Sequence, residues 1–168
     1  MEELRKSAEK MGEVFLINPS KDIVFSERAV LKCAVCGNYG KRTCPPLRID
    51  YKKAIKEYEK GFIIIVSQRF NEEDKIAVKE ETGKKLHIGL IKLEEEAFDK
   101  GFYYITSLIG GSCKLCKKCS EECSKPTMAR VPLEGVGCDV VETVKSLGIS
   151  LKFPPNKKLC RVGLLLLK

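Results

Sequence analysis

The apolar residues of this chain follow two rhythms. Leu4, Ala8 and Met11 recur at helical spacing through the charged segment Glu2 to Met11, which Gly12 stops. Tyr51, Ala54, Ile55 and Tyr58 predict a second helix, with Asp50 as its cap and Gly61 as its end. Leu86, Leu90, Leu93 and Ala97 mark one side of a long helix within Glu72 to Lys100, where Gly83 offers a point of division and Gly101 a close. Val140, Val141, Val144 and Leu147 mark a shorter helix from about Asp139 to Leu147, stopped at Gly148. The other rhythm is continuous: Phe62 to Val66 and Phe102 to Ile109 are unbroken enough to be strands covered on both faces. Val14 to Ile17, Ile23 to Phe25, Ile149 to Phe153 and Val162 to Leu167 predict further short strands, with turns at Asn18-Pro19-Ser20 and Pro154-Pro155.

The order strand, helix, strand across Phe62 to Ile109 predicts a parallel, right-handed crossover. The expected fold is therefore α/β, with a mixed α+β arrangement as the alternative: a small, partly parallel sheet flanked by helices. Residues 1–168 show no linker, repeat or low-complexity stretch and read as one domain. Cys33 to Pro46 lacks periodicity and reads as a loop that holds something. A second loop opens at Cys113, just past the carboxyl end of the second central strand, where open α/β sheets hold ligands; Gly110 and Gly111 allow the sharp turn into it. Cysteine-rich loops are thus expected at one edge of the sheet.

Those loops carry the candidate chemistry. Cys113, Cys116, Cys119 and Cys123 follow the C-x2-C-x2-C-x3-C spacing of iron–sulfur ligands, because a loop with cysteines three residues apart reaches several corners of a [4Fe–4S] cube. The alternative is a tetrahedral zinc site of four thiolates. Upstream, Cys33, Cys36 and Cys44 supply three ligands, and Cys44 precedes Pro45 as in ferredoxin loops. Two ligation schemes fit. In the crossed scheme Cys123 joins Cys33, Cys36 and Cys44, while Cys113, Cys116 and Cys119 take a distant fourth ligand, Cys138 or Cys160. In the local scheme Cys113, Cys116, Cys119 and Cys123 hold one cluster, leaving the upstream three with an open position for a small substrate. His87 is the only histidine and reads as a packed side chain, so no nucleophile–histidine arrangement arises. Tyr103 and Tyr104 read as core and surface strand residues.

Charge and composition change this picture little. The formal net charge of +8 suggests nucleic acid, but the lysines are interspersed with glutamates, and two thiolate-held cubes of about −2 each lower the total to about +4. Nine cysteines without an apolar leader point to reduced thiols in the cytoplasm, hence metal rather than disulfides. No apolar run nears the roughly 18 residues of a membrane span.

Together, Cys33-x2-Cys36, Tyr39-Gly40, Cys44-Pro45-Pro46 and Gly110-Gly111-Ser112-Cys113 resemble a family of predicted metal-binding proteins (domain of unknown function 2284). Cys116, Cys119, Cys123, Pro126, Ala129-Arg130, Glu134 and Asp139-Val140 extend the resemblance over most of the chain. The resemblance implies metal binding and carries no settled activity. The reading as a whole is a carrier of single electrons with one or two [4Fe–4S] clusters and a redox partner protein. The alternatives are an enzyme with an open iron for a small-molecule substrate and a zinc module for macromolecular contacts.

Overall fold

The computed structural model describes residues 1–36, 49–117, 119, 123–152 and 154–168. Its architecture is mixed α+β, with six helices and a five-stranded mixed sheet among the described residues. In chain order the elements are α1 (Glu2–Glu9), β1 (Glu13–Ile17), α2 (Pro19–Asp22), α3 (Glu27–Ala34), α4 (Tyr51–Lys56), β2 (Lys60–Arg69) and α5 (Lys75–Asp99). Then come β3 (Ile105–Ile109), β4 (Val131–Pro132), a 3-10 turn (Glu134–Val136), α6 (Val140–Ser146) and β5 (Lys158–Leu167).

The sheet order is β1-β2-β5-β3-β4, antiparallel except for the β3–β4 pair. β2 and β3 do run in the same direction, as the strand–helix–strand order predicts, but they are not neighbours. β5 lies between them, pairing from Lys60↔Leu167 to Arg69↔Lys158 on one side and from Ile105↔Leu167 to Leu108↔Leu164 on the other. Its Val162, Leu164, Leu165, Leu166 and Leu167 are buried, as suits a strand flanked on both sides in the sheet and covered on both faces.

Side-chain alternation splits the core in two. Phe62, Ile64, Val66, Leu165 and Leu167 face Leu86, Leu90 and Leu93 of α5, with Leu4 and Ala8 of α1. Ile63, Ile65, Val162, Leu164 and Leu166 face Val136, Val144, Ile23 and Ile55. The cap expected from sequence is made, Asp50 accepting from Lys53 N–H at 2.9 Å, and Asp139, expected as the first residue of its helix, caps α6 by accepting from Glu142 N–H at 3.2 Å.

Other expectations change. The Asn18-Pro19-Ser20 turn opens the short helix α2, because Asn18 Oδ1 accepts from Ser20 N–H at 3.1 Å. Ile23 to Phe25 forms only a bridge from Phe25 to Cys138. Cys33 lies in α3 rather than in a loop. Gly83 does not interrupt α5, and Gly61 lies inside β2. Residues 149–152 form no strand; Ile149 and Leu151 pack against the core without a ladder partner. Tyr103 and Tyr104 precede β3, both exposed, with ring centroids 4.8 Å apart. No helix among the described residues is long and apolar enough to cross a membrane.

Candidate metal centre

Beyond β3 the chain turns through Gly110 and Gly111 into the downstream cysteine run. Gly111 has φ +77°, a region that penalises a side chain, and a Cβ there would lie 2.8 Å from Nη1 of Arg161. Its N–H donates to Glu134 Oε2 at 3.3 Å. Cys113 is half-buried against the α5-side core. Cys116 and Cys123 are also half-buried and Cys119 is exposed; Cys116 Sγ lies 3.6 Å from Ser124 Oγ.

One stripe of α5 holds both ends of this run. Glu80, Gly83, His87 and Glu94 succeed one another at spacings of three, four and seven, which places them along a single helix face. At the near end, Lys114 Nζ donates to Glu80 Oε1 at 2.7 Å while Lys114 Cγ lies 3.0 Å from where a Cβ on Gly83 would stand. At the far end, His87 Nε2–H donates to the Met128 carbonyl at 2.9 Å. The Glu94 carboxylate accepts from Arg130 Nε at 2.8 Å and from Ser107 N–H at 2.9 Å. His87 is 1% exposed and its Nδ1 has no partner among the described residues. Burial, above all, holds its pKa below the usual 6.5 and keeps the ring neutral.

Beneath the root of the loop lies Arg161. It stands on β5, its Nη2 donates to the Lys79 carbonyl at 3.3 Å, and its Nε is buried with no hydrogen-bond partner. Burial lowers its pKa from the ordinary arginine value, opposed by the charges of Glu134 and Glu80.

The upstream pair is anchored on the opposite face of the sheet. Cys33, half-buried, occupies the last turn of α3, and the exposed Cys36 follows, its N–H donating to the Cys33 carbonyl at 3.0 Å. Three bonds fix this segment to the start of α6: Ser26 N–H to Gly137 O at 2.8 Å, Asp139 N–H to Val24 O at 2.8 Å, and Val24 N–H to Thr143 Oγ1 at 3.0 Å. Cys44, with Tyr39-Gly40 and Pro45-Pro46, lies outside the described residues.

Cys138 is a different kind of thiol. It is 2% exposed in the core of the α6 face, with Sγ 3.6 Å from Thr143 Oγ1. Burial pushes its pKa up to about 12, the Thr143 hydroxyl opposing and Glu134 and Asp139 adding to the rise. Cys160, half-buried on β5, is also raised by burial.

A cleft of about 470 Å³ opens between α3, α6 and β5. Lys32, next to Cys33, and Gly110, where the downstream loop begins, both line it, together with Arg28, Glu134, Asp139 and Cys160. The cysteines among the described residues that line this cleft are Cys138 and Cys160, and the two stretches approach it only through Lys32 and Gly110. Among the described residues, no three Cys, His, Asp or Glu side chains converge closely enough to hold a single ion. The candidate donors in both stretches are thiols, and a thiol set suits iron in a cluster or zinc. Arg161, half-buried beside one stretch with its Nε lacking a partner, suits a bound group of negative charge.

Sequence reasoning passed over Arg161, and over the Glu94–Arg130 and His87–Met128 contacts that fix the loop. No curated protein and no solved structure matches the chain. A family described as "predicted metal-binding protein" (DUF2284) matches residues 17–167, a span that takes in both cysteine stretches and β2 to β5, and the chain belongs to that family.

Proposed function

We propose that the protein is an iron–sulfur protein holding one or two [4Fe–4S] clusters and passing single electrons to a partner protein. Membership of a metal-binding family supports a metal in general. The observation that carries the finer reading is the spacing of Cys113, Cys116, Cys119 and Cys123 on a loop whose two ends are fixed to α5. Cys113, Cys116 and Cys119 supply three thiolates. Cys123 either completes that set or crosses to Cys33, Cys36 and Cys44. We leave Cys138 out of the ligand set, because a thiol enclosed at 2% exposure loses its proton only at high cost. When bound, a cluster supplies one-electron transfer; the chain supplies the thiolates, a rigid base under the loop and an apolar flank behind Cys113.

Anaerobic purification followed by iron, zinc and acid-labile sulfide analysis tests this. The expected protein is brown, with about four irons and four sulfides per cluster. A colourless protein with stoichiometric zinc overturns it. Cys123→Ser is expected to lower the cluster content; full retention counts against both ligation schemes.

The cleft favours a second reading, an enzyme acting on a small molecule beside a cluster with an open iron. Its volume of about 470 Å³ falls within the range of small-molecule sites, and residues next to both cysteine stretches line it. A change in the cluster's visible spectrum on adding small ligands separates this enzyme from a pure electron carrier.

A further inference from the structure

We infer that Arg161 is the countercharge of the group held by the Cys113–Cys123 loop and a positioning residue that raises its reduction potential. This rests on the cluster reading above and deepens it.

The first argument is the state of the side chain. A guanidinium partly withdrawn from water, as the half-buried Arg161 is, gains from acceptors and opposite charges that replace the lost hydration. Arg161 has one acceptor, the Lys79 carbonyl at 3.3 Å, and a buried Nε with none. Among the described residues no carboxylate forms an ion pair with it. Of the two acids whose charges act on it, Glu80 is paired with Lys114 Nζ through Oε1 at 2.7 Å, while Glu134, whose Oε2 accepts from the neutral Gly111 N–H at 3.3 Å, answers Arg161 only through its charge and not by a direct contact. The same pairing removes Lys114 as a rival, because its charge is already answered.

The second argument is place. Nη1 lies 2.8 Å from where a Cβ on Gly111 would stand, and Nε lies 3.9 Å from where one on Gly83 would stand. Two glycines, one on the loop and one on α5, thus leave space around the guanidinium. Gly111 is two residues from Cys113, the first thiol of the run.

The third argument is chemical. A thiolate-held cube carries about −2 when oxidised and about −3 after accepting one electron. The electron comes from a low-potential donor and leaves to the partner protein; no bond forms or breaks and no proton moves. A fixed cation nearby stabilises the more negative state more, so it favours reduction.

The test compares the parent with Arg161→Met and Arg161→Lys, each purified anaerobically and analysed for iron and sulfide, then titrated at an electrode while the visible spectrum is followed. Arg161→Met is expected to keep its iron and sulfide and to shift the reduced-to-oxidised ratio at fixed potential at least tenfold toward oxidised, ~59 mV for a one-electron couple. Arg161→Lys is expected to stay within that margin of the parent. An unchanged potential in loaded Arg161→Met overturns the countercharge while leaving the cluster reading intact. If Arg161→Met does not load while Arg161→Lys does, the side chain is needed to build the site rather than to set its potential, and the proposal is overturned. A parent without iron and sulfide overturns the cluster reading itself, and the proposal with it.

Discussion

Glu94 is where the cysteine loop is most exposed to a single substitution. Its carboxylate gathers Arg130 Nε at 2.8 Å, Arg130 Nη2 at 2.5 Å, Ser107 N–H at 2.9 Å and the Ser107 hydroxyl. Both partners of the ion pair are 18% exposed, so water screens it only partly. Breaking a buried pair from one side costs about 3–5 kcal/mol, because the remaining charge keeps its desolvation penalty. Some water reaches this site, so the low end applies, and Glu94→Ala is expected to lose about 3 kcal/mol. For a protein of this size that lowers Tm by roughly 6–12 °C. Urea unfolding of the metal-free protein measures it, with an unchanged m-value confirming that only stability moved. The double variant Glu94→Met/Arg130→Met removes both charges and is expected to recover most of the loss, giving a coupling of about 2 kcal/mol. If Glu94→Ala falls within about 1 kcal/mol of the parent, or if the two substitutions simply add, the ion pair does not hold the loop.

Three further outcomes follow from the packing. Because His87 is neutral when folded, the unfolded chain alone takes up its proton as pH falls below 6.5; stability should fall from there through the folded-state pKa, by up to about 1.4 kcal/mol per pH unit. His87→Gln should flatten that part of the urea-midpoint curve from pH 7.5 to 5, and parallel curves for the two proteins would sink the assignment. Cys138→Ala should leave metal content unchanged while costing about 1–2 kcal/mol, and the native thiol should resist alkylation at pH 8 until the protein unfolds; loss of metal would instead make it a ligand. Gly163→Val should cost about 1–3 kcal/mol, because a Cβ there meets Leu86 Cδ1 at 2.8 Å and Leu90 Cδ1 at 2.9 Å; a urea midpoint equal to the parent's would show that α5 can move away.

What was legible in the sequence was local. The Leu86–Ala97 stripe, the unbroken run in β2, the short apolar run of β5 and the Asp50 cap each depend on residues a few positions apart. The insertion of β5 between β2 and β3 was not legible, because it pairs Lys60 with Leu167 and no local pattern encodes so distant a partner. Helix α3 escaped notice for a different reason: Val30, Leu31 and Val35 are exposed, so its apolar residues do not mark the buried side that Ala29 occupies. In the candidate site the cysteine spacing stood out because chance rarely places four cysteines so regularly. Arg161, Glu94 and Arg130 look like any members of a charged surface until the fold brings them under the loop.

The central strand of the sheet is also the one that leaves the ribosome after the other four. Until residues 158–167 emerge, β1–β2 and β3–β4 are separate half-sheets, each with an open apolar edge. Arg161 arrives with the same ten residues, so the base of the cysteine loop is incomplete during most of translation. Cofactor delivery is therefore expected to follow the emergence of residues 158–167, with the half-sheets dependent on chaperones meanwhile. Nascent chains that already protect β2 from proteases before Lys158 appears would contradict this order of assembly.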